Sequence, residues 1–569
     1  MISTSRFLLA MGLGAWLSLV VAVPAVANDD AAHIDALFAE FDRDDSPGAA
    51  VAVYREGELA FSAGYGLADL EAGTPLTPRT PTHVASVSKQ FTAFAIALLA
   101  REGKLDLDAD IRDYLPWVPD FGTPIRVRHL IHHTSGLRDQ WILFQLSGQE
   151  MGNRLRQQHI VNMVSRQRSL NFPPGSEHAY SNTGYTLLAE IVRAASGQSL
   201  REFTTQRIFE PLGMERTFFF DDVTEVVPGR ANSYSRREDG DAWRRELLNF
   251  DNVGTTSLFT TVEDLAAWAG NFSRPVVSDR ELIEQVTMPG TLDDGSPLVY
   301  AFGLQTGAMA GHRTIQHSGR DAGFRSLFVY FPEHDIAVAA AANTPISLNE
   351  KVEAIAEIYL PEAESDDIVE ASLAAEVESG ERLAELEGVY LSRHATLRLE
   401  VEDGELGYTS RRGDMEWRVE LVLREDDSLD DGGRESRYFE VLRDAHGTVT
   451  ALAQYDNRGE RQASFERQAA LPEPSPKTLQ AYAGDYRSPE LDITYRVRLE
   501  GDGLVIDSIW SLAPAELRPV AEDRFETDHR GLGTLVFQRN GDGEPLGYRV
   551  HTERVRDVWF ERLVPGADG

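Results

Sequence analysis

The chain has no cysteine, which excludes disulfides, thiolate metal sites, thiol nucleophiles and a lipidated N-terminal cysteine. Lysine is nearly absent too: of 55 basic residues only Lys89, Lys104, Lys351 and Lys477 are lysines. Arginine does not release its proton, so a lysine kept in such a chain is a place to look for proton transfer. Positive charge is short overall, with 91 acidic residues leaving a formal charge of −36. A field of that sign repels nucleic acid and anionic lipid, and neither is expected as a partner. A content of 42% hydrophobic and 26% charged residues excludes a disordered, collagen-like or many-span membrane chain. At 569 residues the chain is too long for one hydrophobic core, and several domains are expected.

The first 27 residues read as a targeting signal. Arg6 is followed by an apolar run from Phe7 to Val23 and then by Ala25-Val26-Ala27, a small-x-small cleavage pattern. Export follows, to a bacterial periplasm or to the medium, with no stable membrane insertion after cleavage behind Ala27.

Residues 28–362 read as one α+β domain. Two β-like runs, Ala49–Tyr54 and Glu58–Tyr65, flank Arg55-Glu56-Gly57 as a hairpin. A long apolar helix follows over Ser86 to Glu102, ended by Gly103. Strands are expected at Thr314–His317, Ser326–Phe331 and Ile336–Ala342, and a helix over Glu350–Leu360. Strands at both ends with helices between predict a sheet that joins the two termini. Residues 363–382 are acidic and helix-favouring, a connector. Beyond them the chain is β-rich and repeats: Gly388-Val389-Tyr390 answers to Gly484-Asp485-Tyr486, Phe439 to Phe537, Gly447 to Gly543, and Phe465-Glu466-Arg467 to Phe560-Glu561-Arg562, at shifts of 95 to 98. Two small antiparallel barrels or sandwiches are predicted, over 383–468 and 478–565, joined by a Pro-rich linker at 469–477. Asp426, Asp427, Asp430 and Asp431 fail calcium-loop spacing and read as a solvated loop.

The chemistry sits in three places. Ser86-Val87-Ser88-Lys89 opens the apolar helix, and residues three apart share a helix face, so Ser86 Oγ and Lys89 Nζ can meet. The positive end of the helix and burial beside Phe91 and Phe94 favour a neutral amine able to take the serine proton. Tyr180-Ser181-Asn182 follows the loop Pro173-Pro174-Gly175 and offers a phenol for proton transfer and an amide for a substrate carbonyl. His317-Ser318-Gly319 ends a late β-run, where Gly319 leaves room for substrate along the strand.

Ser-x-x-Lys, then Tyr-x-Asn roughly ninety residues on, then His-x-Gly on a late strand resembles the penicillin-recognising serine hydrolases. That family includes class C β-lactamases, D,D-peptidases, carboxylesterases and D-aminopeptidases. The flanking text, His129-Leu130-Ile131-His132-His133-Thr134-Ser135-Gly136-Leu137 and Thr260-Thr261-Val262-Glu263-Asp264-Leu265, is similar as well, and the likeness covers Asp30 to Leu360. It implies an antiparallel sheet flanked by helices, with a helical subdomain. The layout is similar to bacterial D-aminopeptidases, which implies that the repeats are eight-stranded, lipocalin-like barrels. The resemblance implies Ser86 as acylated nucleophile and Lys89 with Tyr180 as the proton-handling pair. Asn182, His317 and Gly319 would bind substrate, and the backbone N–H groups of Ser86 and Arg320 would form the oxyanion hole. It implies no metal and no cofactor; the adjacent His132 and His133 resemble a structural turn.

Two departures bear on substrate. His317 stands where the family usually has lysine, which argues against penicillins and peptide C-terminal carboxylates unless Arg320 or Arg325 compensates. Glu246-Leu247-Leu248-Asn249 is one residue short of the class A deacylation motif. The expectation is a hydrolase of small peptides, amides or esters, favoured as release of N-terminal D-residues. The rivals are a carboxylesterase and a binding or sensor protein without efficient turnover.

Overall fold

The computed structural model describes residues 28–563, apart from 151, 238–239, 241, 363–379, 413–414, 431–436, 457–460, 470–473, 509–513 and 528–530. The expected targeting signal therefore lies outside the described residues, as does the acidic connector up to a short helix, Gly380–Ala384.

Alanine and valine dominate Ala49–Arg55 and Ile336–Ala342, both buried along almost their whole length, and the two strands pair antiparallel with Val51 opposite Ala340. They occupy the interior of a six-stranded antiparallel sheet. Its order is Gln305–Met309, His312–Asp321, Phe324–Phe331, Ile336–Ala342, Ala49–Arg55, Glu58–Tyr65, so the sheet joins the two ends of the domain as expected. The hairpin turns on Glu56 (φ 50°) and Gly57 (φ 100°), two residues whose left-handed backbone matches the twist of the strands. On one face Val51, Val53, Val329 and Val338 pack against Ile34 of Asn28–Leu37 and Val352 and Ile355 of Asn349–Tyr359. On the other, Ala50, Ala52 and Ala339 leave space for Leu265, Trp268 and Phe272 of Val262–Ser273. Small side chains facing the helices let both layers approach closely.

The two repeats are two closed barrels of eight antiparallel strands each, running from Gly388–Leu391 to Arg461–Arg467 and from Gly484–Ser488 to Val558–Arg562. The repeated residues do the same work in each. Tyr390 pairs with Arg467 and Tyr486 with Arg562 where first and last strands close the barrel, and each buried tyrosine donates its hydroxyl to a carbonyl four residues back, on Leu386 and Tyr482. Asp427 with Arg443, and Asp523 with Arg539, form matching ion pairs.

Two expectations need correction here. The acidic cluster is not simply solvated: Asp430 is 6% exposed and held by Arg424 at 2.7 Å, and Asp427 binds Arg443 and Arg382. The Pro-rich linker does not run to residue 477, because Ser475 caps a helix, Pro476–Gln480, whose first-turn proline needs no amide hydrogen bond.

The second barrel is docked on the catalytic domain. Leu143 and Leu146, from the helix Gln140–Leu146, pack into the apolar cluster of that barrel. Arg138, fully buried, binds both Glu490 oxygens at 3.1 and 3.0 Å, and donates to Arg556 O, Asp557 O and Ser169 Oγ. The first barrel meets the second through Arg524, which donates to Ser392 O and Ala395 O.

Candidate active site

Ser86 does not open an α-helix, as its spacing suggested. It lies in a 3-10 turn, Ala85–Val87, and the α-helix starts at Ser88 and runs to Arg101. The preceding residue, Ala85, has φ 47°, a left-handed conformation that costs a non-glycine residue about 1–3 kcal/mol. Its amide donates to His83 Nδ1 at 3.2 Å, and Ser326 Oγ donates to Val84 O at 2.7 Å, which fixes the turn against the sheet. Gly319 takes part in this seating. A Cβ there would stand 2.2 Å from Val84 O and 3.1 Å from Ala85 Cβ, so the missing side chain leaves the space that the Ser86 turn occupies.

Lys89 is fully buried. Its Nζ donates to Ser86 Oγ at 3.0 Å, to Asn182 Oδ1 at 2.9 Å and to Thr255 O at 2.8 Å, one acceptor for each ammonium proton. Burial pushes its pKa down to about 7, with Asp321 and Asp139 opposing and Arg554 adding to the shift. Near neutrality the amine therefore exists in both forms, and the neutral form has a lone pair to offer Ser86. Tyr180 lies beside it, its ring centroid 4.9 Å from Nζ.

Asn182 is the first residue of the helix Asn182–Ser196. Its amide is oriented by Asp139, a buried carboxylate absent from the expected site, which accepts from Asn182 N at 2.9 Å and Nδ2 at 2.7 Å. Thr255 Oγ1 donates to Asn182 Oδ1 at 2.7 Å. The side chain thus faces Lys89 with its oxygen and a helix-terminal anion with its nitrogen.

His317 departs from the expected substrate contact. Both ring nitrogens are engaged: Nδ1 donates to Ser318 O at 2.6 Å, and Nε2 accepts from Tyr300 OH at 2.9 Å. Burial and the nearby Lys89 depress its pKa to about 3, so the ring is neutral and cannot replace the charge of a lysine. Arg325 turns onto its own turn, donating to Ala322 O and Phe324 O. Arg320 follows Gly319 on the strand against which the Ser86 turn packs, with an exposed side chain.

His132 and His133 diverge. His132 shares a hydrogen bond with Tyr300 O, whereas His133 accepts from Ser181 N and lies tilted against the Tyr180 ring, centroids 4.1 Å apart, steadying the Tyr-x-Asn loop. Away from the cleft, His394, His551 and Asp557 bring ligand-type atoms within 4.8 Å of one another. Arg549 Nε stands 4.0 Å from that carboxylate.

Arg554 was not anticipated. It comes from the second barrel, and its guanidinium carbon lies 5.0 Å from the Tyr180 ring centroid. The site thus draws on both ends of the chain.

The β-lactamase family model matches residues 34–360, more than half of the chain. The chain belongs to the β-lactamase family, and it is a serine hydrolase of that family. Along nearly its whole length it is similar to a D-aminopeptidase of Gluconobacter oxydans, 28% identical over 548 residues, which cover 94% of this chain and 98% of the relative. A D-aminopeptidase of Brucella melitensis is 26% identical over 535 residues, covering 91% and 96%. Among solved structures, the octameric penicillin-binding protein homologue from Pyrococcus abyssi matches with a TM-score of 0.53 at 23% identity, covering 77% of this chain and 99% of that one. A penicillin-binding protein from Bacillus halodurans matches with a TM-score of 0.51 at 22% identity, covering 59% and 100%. These two likenesses concern the fold. Among the described residues no helix is long and apolar enough to cross a membrane.

Proposed function

We propose that the protein is an exported D-aminopeptidase that releases N-terminal D-residues from small peptides or amides through an acyl-enzyme on Ser86. The observation that carries this reading is Lys89, buried and hydrogen-bonded to Ser86, Asn182 and Thr255 with a pKa near 7. The full-length similarity to D-aminopeptidases, barrels included, supports the substrate class.

Neutral Lys89 takes the Ser86 proton as Oγ bonds to the scissile carbonyl carbon. The oxyanion is held by the N–H groups of Ser86 and Arg320, and Asn182 orients the acyl group. Collapse breaks the C–N bond, and the amine leaves with a proton passed through Lys89 and Tyr180. Water then attacks the ester by the same relay, releasing the D-amino acid and restoring Ser86. No metal or cofactor enters the scheme.

The test compares initial rates on D-alanine p-nitroanilide, its L-isomer and a short-chain p-nitrophenyl ester, with Ser86→Ala as control. The expected result is a Ser86-dependent preference for the D-anilide. Ester turnover without anilide cleavage would move the function to carboxylesterase, and a stable Ser86 adduct without turnover would make the protein a sensor.

A further inference from the structure

Six residues, 552–557, join the final two strands of the second barrel. That turn is fastened to the catalytic domain. Arg554 O accepts from Asp139 N at 3.2 Å and from Asn171 Nδ2 at 3.0 Å, Arg556 N donates to Asn171 Oδ1 at 2.8 Å, and Arg138 holds the carbonyls of residues 556 and 557. Within the turn, Thr552 Oγ1 accepts from the amides of Arg554 and Val555. The Arg554 backbone is therefore fixed, and its side chain is delivered to the Tyr180 ring.

What that guanidinium lacks is a carboxylate. Glu490 is committed to Arg138, Glu177 to Arg556, and Asp139 to Asn182. Among the described residues no acidic side chain pairs with Arg554. In a chain with 91 acidic residues, a half-buried cation beside the reacting groups with no internal anion is a place for an anion supplied from outside. The planar guanidinium fork matches a carboxylate in two parallel hydrogen bonds. Neutral His317 brings no competing charge.

We propose that Arg554 is a carboxylate receptor of the active site, so that the preferred substrate carries an anionic group beside Tyr180. The inference rests on the reading that Ser86 is acylated by an amide substrate. Two sources offer the same chemistry: an acidic side chain on the residue released, or the free C-terminus of the residue that follows it.

The experiment measures kcat and KM for two pairs of substrates, D-glutamic acid α-p-nitroanilide against D-alanine p-nitroanilide, and D-alanyl-D-alanine against its C-terminal amide. Wild type, Arg554→Gln, Arg554→Lys and Arg320→Gln are compared at about pH 9, above the Lys89 titration, so that any effect on Lys89 drops out. In wild type the carboxylate-bearing member of one pair is expected to win by roughly ten- to a hundredfold in kcat/KM, the range of a charge-assisted contact. The pair that shows the preference identifies the source. Arg554→Gln should cost the charged member at least tenfold more than the neutral one, through KM, and Arg554→Lys should restore part of the difference. No preference in either wild-type pair would overturn the proposal. So would equal losses on charged and neutral substrates in Arg554→Gln, or a preference abolished by Arg320→Gln alone. Ser86-dependent turnover of D-alanine p-nitroanilide would in each of those cases leave the proposed function standing.

Discussion

Replacing Glu490 with alanine leaves the Arg138 guanidinium charged and buried between the catalytic domain and the second barrel. The substitution removes both contacts of Arg138 Nη1 and the acceptor of the Arg168 amide. The bonds to Arg556 O, Asp557 O and Ser169 Oγ survive. Breaking a buried ion pair from one side costs about 3–5 kcal/mol. Since much of the arginine's hydrogen bonding is retained, the lower end applies, and about 3 kcal/mol weakens docking by a factor of more than a hundred. The consequence reaches the chemistry because the next residue, Asp139, donates its amide to the Arg554 carbonyl and orients Asn182. The assay is urea titration followed by turnover and by protease sensitivity, on Glu490→Ala and on the double variant Arg138→Met/Glu490→Leu. Glu490→Ala should lose activity at markedly lower urea, and the double variant should regain part of the loss, because no charge is left buried although Arg556 O and Asp557 O lose their donor. A change below about 1 kcal/mol in Glu490→Ala, or a double variant no better than it, would refute the argument.

Three further outcomes follow from the same geometry. Gly319→Ala should lower kcat at least about a hundredfold with circular dichroism unchanged, because its Cβ meets Val84 O and displaces the Ser86 turn. Lys89→Arg should do comparable damage, since arginine cannot act as a base; retention of more than about a tenth of the activity would contradict that role. Asp139→Asn removes a charge that favours protonated Lys89, so the acidic limb of its pH–rate profile should move to lower pH while kcat falls.

Local pattern carried much of the architecture. Alternating apolar runs marked the hairpin and the late strands, and repeated Gly-x-Tyr and Phe-Glu-Arg strings marked two barrels, because each string does the same closing work in both. Ser86 and Lys89 meet as their spacing suggested, and Asn182 joins them from another helix. What escaped was set by contacts far apart in sequence. Arg138 and Glu490 are separated by 352 residues, and nothing near either one marks the other. Asp139 is one acidic residue among 91 until the fold places it at the start of the Asn182 helix. His317 looked free to meet substrate because Tyr300, which occupies its Nε2, arrives on a separate loop. Gly319 has a steric role visible only once the Ser86 turn lies across it. Arg554 left no such mark, because its place beside Tyr180 depends on how that barrel docks.

The central claim is that neutral Lys89 activates Ser86. Its pKa is depressed from the usual lysine range to about 7, so the catalytically competent amine is present above that pH and is lost as pH falls through it. The most direct measurement is kcat/KM against pH, between about 5 and 9, on a p-nitrophenyl ester with no titrating group in that range. The account predicts a plateau above neutrality and a tenfold fall per pH unit on the acid side, with an apparent pKa near 7. A rate that stays flat down to pH 5, or that rises only above pH 9 as for an ordinary lysine, would contradict it.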